Sequence, residues 1–133
     1  MKRSPKQEAA RWLRQAVEDF RTGDYLAKGE RFYFASFVFQ QAAEKALKAY
    51  LYYQGMHSII GHSVQKLCQQ CAQFDKAFGQ ILDEVKGLDT YYIPTRYPNG
   101  LPDGIPAEVY NFSDAQRTRT MCKKIMKLVK ARI

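Results

Sequence analysis

The chain has 133 residues, and its 46% apolar and 26% charged side chains exclude a disordered or fibrous protein and favour one globular domain over residues 1–133. The formal net charge of +8 is uneven, because residues 1–14 carry +4 and residues 115–133 carry +7, so that residues 15–114 sum to −3. Such basic ends attract nucleic acid, nucleotides or an acidic protein surface, and charge alone does not distinguish these partners.

The first predicted helix begins after Ser4, which can cap it, while Gln7 completes a capping box. Apolar residues recur at three- and four-residue steps over residues 9–20 and form one stripe of an amphipathic helix. Gly23 and Asp24 follow this stripe and predict the end of the helix.

The second predicted helix is the longest element. It begins near Glu30 or a few residues earlier and runs to Gln54, where Gly55 supplies a stop signal. Alanines in its inward stripe allow close approach by a neighbouring helix, and they could also contribute to a dimer interface. Polar side chains lie beside this stripe, namely Gln40, Gln41, Glu44, Lys45 and Lys48.

Three further helices are predicted towards the C-terminus. Ser63 can cap the third and Asp75 the fourth, while Ser113 opens a capping box for the last. Between the fourth and the last of these helices, four prolines and two glycines in residues 91–112 exclude a continuous helix or central strand and predict a long loop. The pattern predicts an all-α, up-and-down antiparallel bundle of about five helices with one long loop before the last helix.

The sequence contains no familiar metal, cofactor or catalytic motif. Cys68 and Cys71 form a C-x-x-C without a second ligand pair, so we interpret them as core thiols. His57 and His62 are five residues apart, which is not the helical spacing of a zinc pair. We therefore expect no metal, no bound cofactor and no recognisable catalytic residue. No segment reaches the roughly 20 apolar residues of a membrane span, and no signal peptide is visible, so a cytoplasmic protein without membrane contact is predicted.

Residues 91–98 are the most informative stretch for function. Arg96 is the only basic residue in residues 87–116, and it lies among tyrosines. An arginine offers a planar fork for phosphate and tyrosine rings offer faces for a base, so this loop could hold a nucleotide. The alternative is that the tyrosines attach the loop to the bundle and that Arg96 pairs with Asp89 or Asp103.

Four parts of the chain carry a family resemblance, namely Trp12-Leu13 with Ala16 and Asp19, the run from Phe39 to Ala49, Gly61-His62-Ser63, and Thr95-Arg96-Tyr97-Pro98. Together, these segments resemble the HEPN domain family. The resemblance implies a helical bundle that commonly forms a homodimer. It also implies a neighbouring partner with a minimal nucleotidyltransferase fold, with which the domain acts in a toxin–antitoxin or stress module.

Many HEPN relatives are metal-independent ribonucleases, in which a histidine follows an arginine by four to six residues. Neither histidine of this chain has that spacing from any arginine. What remains is the nucleotide-binding branch of the family, a non-enzymatic domain with a possible ligand such as ATP or GTP.

The site that this resemblance implies has eight residues, namely Gln40, Gln41, Lys45, Lys48, His62, Tyr92, Arg96 and Tyr97. Its basic side chains would meet phosphates, a tyrosine would stack on the base, and the glutamines would bond the base or orient their neighbours. Two alternatives stay open. One is a ribonuclease in which His62 and Arg96 meet in space as general base and phosphate clamp, and the other is a basic RNA-binding module that uses residues 117–132.

Overall fold

The structure is a computed structural model that describes residues 2–133, and within that range it contains helices and no β-strand. Two short 3-10 helices, Lys86–Tyr91 and Pro98–Gly100, accompany the α-helices. The α-helices are α1 (Pro5–Lys28), α2 (Phe32–Tyr53), α3 (Val64–Ala72), α4 (Ala77–Val85), α5 (Pro106–Val109) and α6 (Phe112–Arg132). The prediction of an all-α bundle is confirmed, and the additional helix, α5, is a single turn inside the region predicted as a loop.

Helix α2 lies at the centre of the bundle and packs against α1, α3 and α6. Its side chains Phe39, Leu47 and Leu51 are fully buried. The alanines of its inward stripe are also fully buried within the single chain, namely Ala42, Ala43 and Ala46. The predicted close helix approach is therefore confirmed, but these alanines cannot contribute to a dimer interface. Among residues 2–133, no helix has both the length and the apolarity needed to cross a membrane.

Helix α1 continues beyond Gly23, so the predicted end at that glycine is wrong. Gly23 is a packing residue, since a Cβ built on it would lie 2.6 Å from Cε1 of Phe39. The chain turns instead after Lys28, where Glu30 adopts a left-handed φ of 61°. This turn delays the start of α2 to Phe32, later than predicted.

Of the four caps that the sequence predicts, three accept the expected backbone N–H, and the first of them, Ser4, forms its capping box with Gln7. The Ser63 hydroxyl accepts a backbone N–H from the first turn of α3 at 3.1 Å, and Asp75 accepts one from the start of α4 at 2.9 Å. The predicted cap at Ser113 is wrong, because Asn111 caps α6 and forms a reciprocal capping box with Asp114. Asn111 has the extended backbone that a cap requires, whereas Ser113 already lies inside the helix.

The interpretation of the C-x-x-C as core thiols agrees with the structure. Cys68 and Cys71 are fully buried, and their Sγ atoms lie near backbone carbonyl oxygens of Phe78 and Leu47. Burial raises the pKa of the Cys68 thiol to about 11, because the low-polarity interior disfavours the thiolate. These thiols therefore stay neutral at physiological pH.

Candidate functional site

A row of buried polar side chains runs along α2. Gln40, Glu44 and Lys48 follow one another at four-residue steps, so they share one side of the helix, and each is at most 5% exposed. Glu44 is the central member, since one carboxylate oxygen accepts from Nζ of Lys48 at 3.3 Å and the other lies 3.1 Å from Nδ1 of His62. A carboxylate this deeply buried requires such partners, because an unpaired buried charge is costly.

The loop that carries His62 is held from two sides. The Gln40 amide donates to the backbone carbonyl of His62 at 3.1 Å, which ties the loop to α2. On the other side, the Asp89 carboxylate accepts from the Ser63 hydroxyl at 2.7 Å and from the Val64 N–H at 2.6 Å. The His62 ring thus points Nδ1 at Glu44 while its side chain remains 57% exposed, so its Nε2 edge is available to a ligand.

Arg96 lies among three aromatic rings. Its guanidinium carbon is 4.4 Å from the ring centroid of Phe37, 4.6 Å from that of Tyr92 and 5.2 Å from that of Tyr97. Its Nε donates to the carbonyl of Tyr92 at 2.9 Å. Within residues 2–133 it forms no ion pair, and Asp89, one of the two acids considered as its partner, instead accepts from the Ser63 hydroxyl and the Val64 N–H at the start of α3.

Tyr92 connects this arginine to the histidine. Its ring stacks on the imidazole of His62, with ring centroids 5.0 Å apart and planes 18° apart. The structure therefore brings four predicted site residues together and adds Phe37, which the sequence did not single out. We call Phe37, His62, Tyr92, Arg96 and Tyr97 the aromatic–arginine cluster.

Tyr91 attaches the loop of residues 91–112, which carries three members of this cluster, to the bundle. Its hydroxyl lies 2.9 Å from a carboxylate oxygen of Asp114 and accepts from Nη1 of Arg117 at 2.7 Å. Burial, followed by the contact with Asp114, raises the pKa of the Tyr91 hydroxyl, so it stays protonated as a donor. Gly100 then allows a close approach, since a Cβ there would lie 2.9 Å from Cα of Pro94.

The two predicted lysines face α1 instead of the cluster. Lys45 forms an ion pair with Asp19 of α1. The ammonium of Lys48 is held by Glu44 and lies 5.7 Å from the ring centroid of Trp12. Neither ammonium forms a hydrogen bond or cation–π contact with the aromatic–arginine cluster.

The predicted glutamines are engaged with each other and with the loop. Gln41 donates its amide to Oε1 of Gln40 at 2.8 Å, and Gln40 donates in turn to His62. Gln40 is fully buried, so its amide serves the fold of the loop. Gln41 is only half-buried, one turn along α2 from Phe37, and lies next to the cluster.

Comparison with known proteins agrees with this architecture. The sequence profile of the HEPN domain matches residues 9–132. The chain belongs to the HEPN domain family. No curated protein matches it.

Two solved structures are similar to this HEPN chain. The crystal structure of TT1696 from Thermus thermophilus has a TM-score of 0.88 and 32% sequence identity, over 95% of this chain and 98% of that one. The crystal structure of ST0689, described as an archaeal HEPN homologue, has a TM-score of 0.77 and 32% identity, over 99% of this chain and 98% of that one.

The HEPN fold brings His62 and Arg96 to one tyrosine ring although they are far apart in sequence. The arrangement combines a cation that has no carboxylate partner within residues 2–133, exposed aromatic surface and an imidazole oriented by a buried carboxylate. A cation and aromatic faces can bind a phosphate and a base. An imidazole oriented by a carboxylate can accept a proton.

Proposed function

We propose that this HEPN protein binds a nucleotide, such as ATP or GTP, at the aromatic–arginine cluster. The observation that carries the proposal is the position of Arg96, whose guanidinium lies among three rings without an acidic partner in residues 2–133. Its fork would hold a phosphate, and the ring of Tyr97, which is 52% exposed, would stack on the base.

The buried row on α2 would position this site without touching the ligand. Glu44 orients the ring of His62, and Gln40 holds the backbone of the same residue. Lys48 neutralises Glu44 from inside the bundle, and Gln41 supports Gln40. On this proposal, Lys45 acts at a distance from the nucleotide, because Asp19 already pairs with its ammonium.

We also propose that the protein forms a homodimer and works in the cytoplasm with a minimal nucleotidyltransferase partner in a toxin–antitoxin or stress module. Membership of the HEPN family supports the partner and the module. Support for an interface comes from Phe34 and Ile93, large apolar side chains that are 39% and 51% exposed close to the cluster. Sedimentation of the wild-type protein and of Phe34→Asp tests the dimer, which the charged variant should weaken.

Calorimetric titration of Arg96→Ala with ATP and GTP tests the nucleotide site. Loss of a charge-assisted bond to phosphate should weaken binding by about tenfold or more. Arg96→Lys should recover only part of the affinity, because an ammonium cannot supply the fork. Lys123→Ala is the matched control, since it removes one exposed cation from α6. Unchanged affinity in Arg96→Ala, with the fold verified by thermal denaturation, would reject this site.

The contact between Glu44 and His62 supports a second candidate, a ribonuclease. A carboxylate-oriented imidazole and an arginine that both contact the ring of Tyr92 would provide a general base and a phosphate clamp. Incubation of the purified protein with labelled RNA tests this candidate. Cleavage that His62→Ala abolishes would support it, whereas cleavage that survives the substitution, or no cleavage at all, would contradict it.

A further inference from the structure

A second concave surface lies on the α1 side of α2. It is an open groove of about 1310 Å³ between the first half of α1, the end of α2 and residues 56–58. The side chains that define its chemistry are Arg3, Arg11, Trp12, Arg14, Lys45 and Tyr52. Along α2, Tyr52 is fifteen residues from Phe37, which places the aromatic end of the groove roughly 22 Å from Phe37 along the helix axis, whereas Lys45 at the other end is eight residues, or about 12 Å, from it.

The groove has an excess of positive charge. Five basic residues line it against two acids. Of these acids, Glu18 pairs with Arg21 outside the groove at 3.2 Å, and Glu8 pairs with Arg11 at 2.9 Å and with Arg3 at 4.0 Å. Lys45 pairs with Asp19 of α1. Arg14 is exposed and has no acidic partner within residues 2–133. A polyanion can therefore bind the Arg14 guanidinium without displacing a carboxylate of residues 2–133.

More than half of the basic residues of the C-terminal helix are paired with acids. Four of the seven in residues 115–133 form ion pairs with acids of α1, α4, α6 or the turn before α4, namely Arg117–Asp114, Arg119–Asp24, Lys124–Glu84 and Arg132–Asp75. Three of these pairs attach α6 to other elements, and the four together neutralise more than half of its charge. Three of the five groove cations are paired as well, so the degree of pairing does not distinguish the groove from α6. What distinguishes the groove is the stacked aromatic pair that lines it together with Arg14.

An aromatic pair lies inside the groove. The rings of Trp12 and Tyr52 stack with centroids 5.3 Å apart and planes 30° apart, and both side chains are half-buried. The indole N–H donates to Glu8 at 3.1 Å, which fixes the orientation of the Trp12 ring. A fixed ring pair beside arginines can stack a base while the arginines contact the backbone phosphates.

We propose that this groove binds a single-stranded oligonucleotide, with phosphates at Arg11 and Arg14 and a base at the Trp12–Tyr52 pair. The aromatic pair favours an oligonucleotide over an acidic peptide, since a peptide would need only the charges. The proposal does not depend on the nucleotide site at Arg96, because the two surfaces are separate.

Trp12 is the only tryptophan of the chain, so its fluorescence reports directly on the groove. The probe is a single-stranded RNA of about 12 nucleotides, within the range of about 4–16 that such modules cover. We expect a saturable change in Trp12 emission on titration. Arg11→Ala/Arg14→Ala should weaken binding by about tenfold or more, and should lower the salt slope of log Kd by about 1.4, since each lost phosphate contact removes about 0.7.

Lys123→Ala/Lys127→Ala removes the same charge from an exposed face of α6 and is the matched control. Equal weakening in both double variants would overturn the proposal, because binding would then follow net charge alone. No saturable change in Trp12 emission, or an equal response to a polyglutamate peptide, would also overturn it. Failure of the nucleotide site is recognised separately, as absent ATP binding in calorimetry with the RNA titration of Trp12 intact.

Discussion

Replacement of Glu44 by alanine should be a strongly destabilising change at the candidate site. Glu44 is 3% exposed, and its carboxylate pairs with Lys48, which is itself 5% exposed. Removing one partner of a buried ion pair costs about 3–5 kcal/mol, because the other charge stays buried without compensation. In Glu44→Ala the Lys48 ammonium still has the ring of Trp12 as a partner at 5.7 Å. We therefore expect a loss of stability at the low end of this range, about 3 kcal/mol. For a chain of this size that corresponds to a melting temperature lowered by about 10 °C.

The assay is urea unfolding of a double-mutant cycle made of Glu44→Ala, Lys48→Ala and the combined variant. Because the combined variant leaves neither charge behind, it should be less destabilised than the sum of the single variants by about 1–3 kcal/mol. A loss below about 1 kcal/mol in Glu44→Ala, or strictly additive single variants, would refute the reasoning that this pair is a coupled buried unit.

Three further predictions concern the core. Gly23→Ala should destabilise the protein by about 1–3 kcal/mol in urea unfolding, because the new Cβ would lie 2.6 Å from Phe39. Gly79→Ala is the control and should be neutral or stabilising, because the nearest atom to its new Cβ would be 3.6 Å away. A larger loss of stability in Gly79→Ala than in Gly23→Ala would contradict the packing argument. Cys68 should resist iodoacetamide in the native protein at pH 8 and react after unfolding, and rapid native labelling would contradict this. Since its pKa is raised from 9.0 to about 11, the stability that the neutral thiol contributes is complete below pH 9 and is lost as the pH rises from about 9 to 11, which urea unfolding at several pH values measures.

Most of the fold could be predicted from the sequence because its signals are local. Apolar spacing and capping residues act within one or two turns, and they identified the five longest α-helices. Gly23 was misinterpreted because a glycine that ends a helix and one that admits a neighbouring ring look alike in sequence. Only Phe39, sixteen residues away, distinguishes them. The cap of α6 was misplaced because Asn111 and Ser113 both begin an acceptable capping box.

The candidate site was predictable only in part, because only some of its contacts join residues that are close in sequence. Arg96 and its tyrosines are close together in sequence, so their composition was informative. The contact between Glu44 and His62 spans eighteen residues and depends on how the loop meets α2. Phe37 was missed because an aromatic residue in a helical stripe is typical of a core. It could have been found from its four-residue spacing to Gln41, a predicted site residue.

The burial of Glu44 and Lys48 gives the polar residues of α2 a structural role inside the bundle. At four-residue spacing such a pair is typical of a solvated helix face, where it contributes little. Here the pair lies inside the bundle, with Glu44 against His62 on one side and Lys48 against Trp12 on the other. The same ion pair therefore orients one residue of the aromatic–arginine cluster and one ring of the basic groove. Because the two side chains are buried and hydrogen-bonded to each other, neither can move away without leaving the charge of the other buried and unpaired. The polar residues of α2 thus give the two proposed binding surfaces a common rigid support.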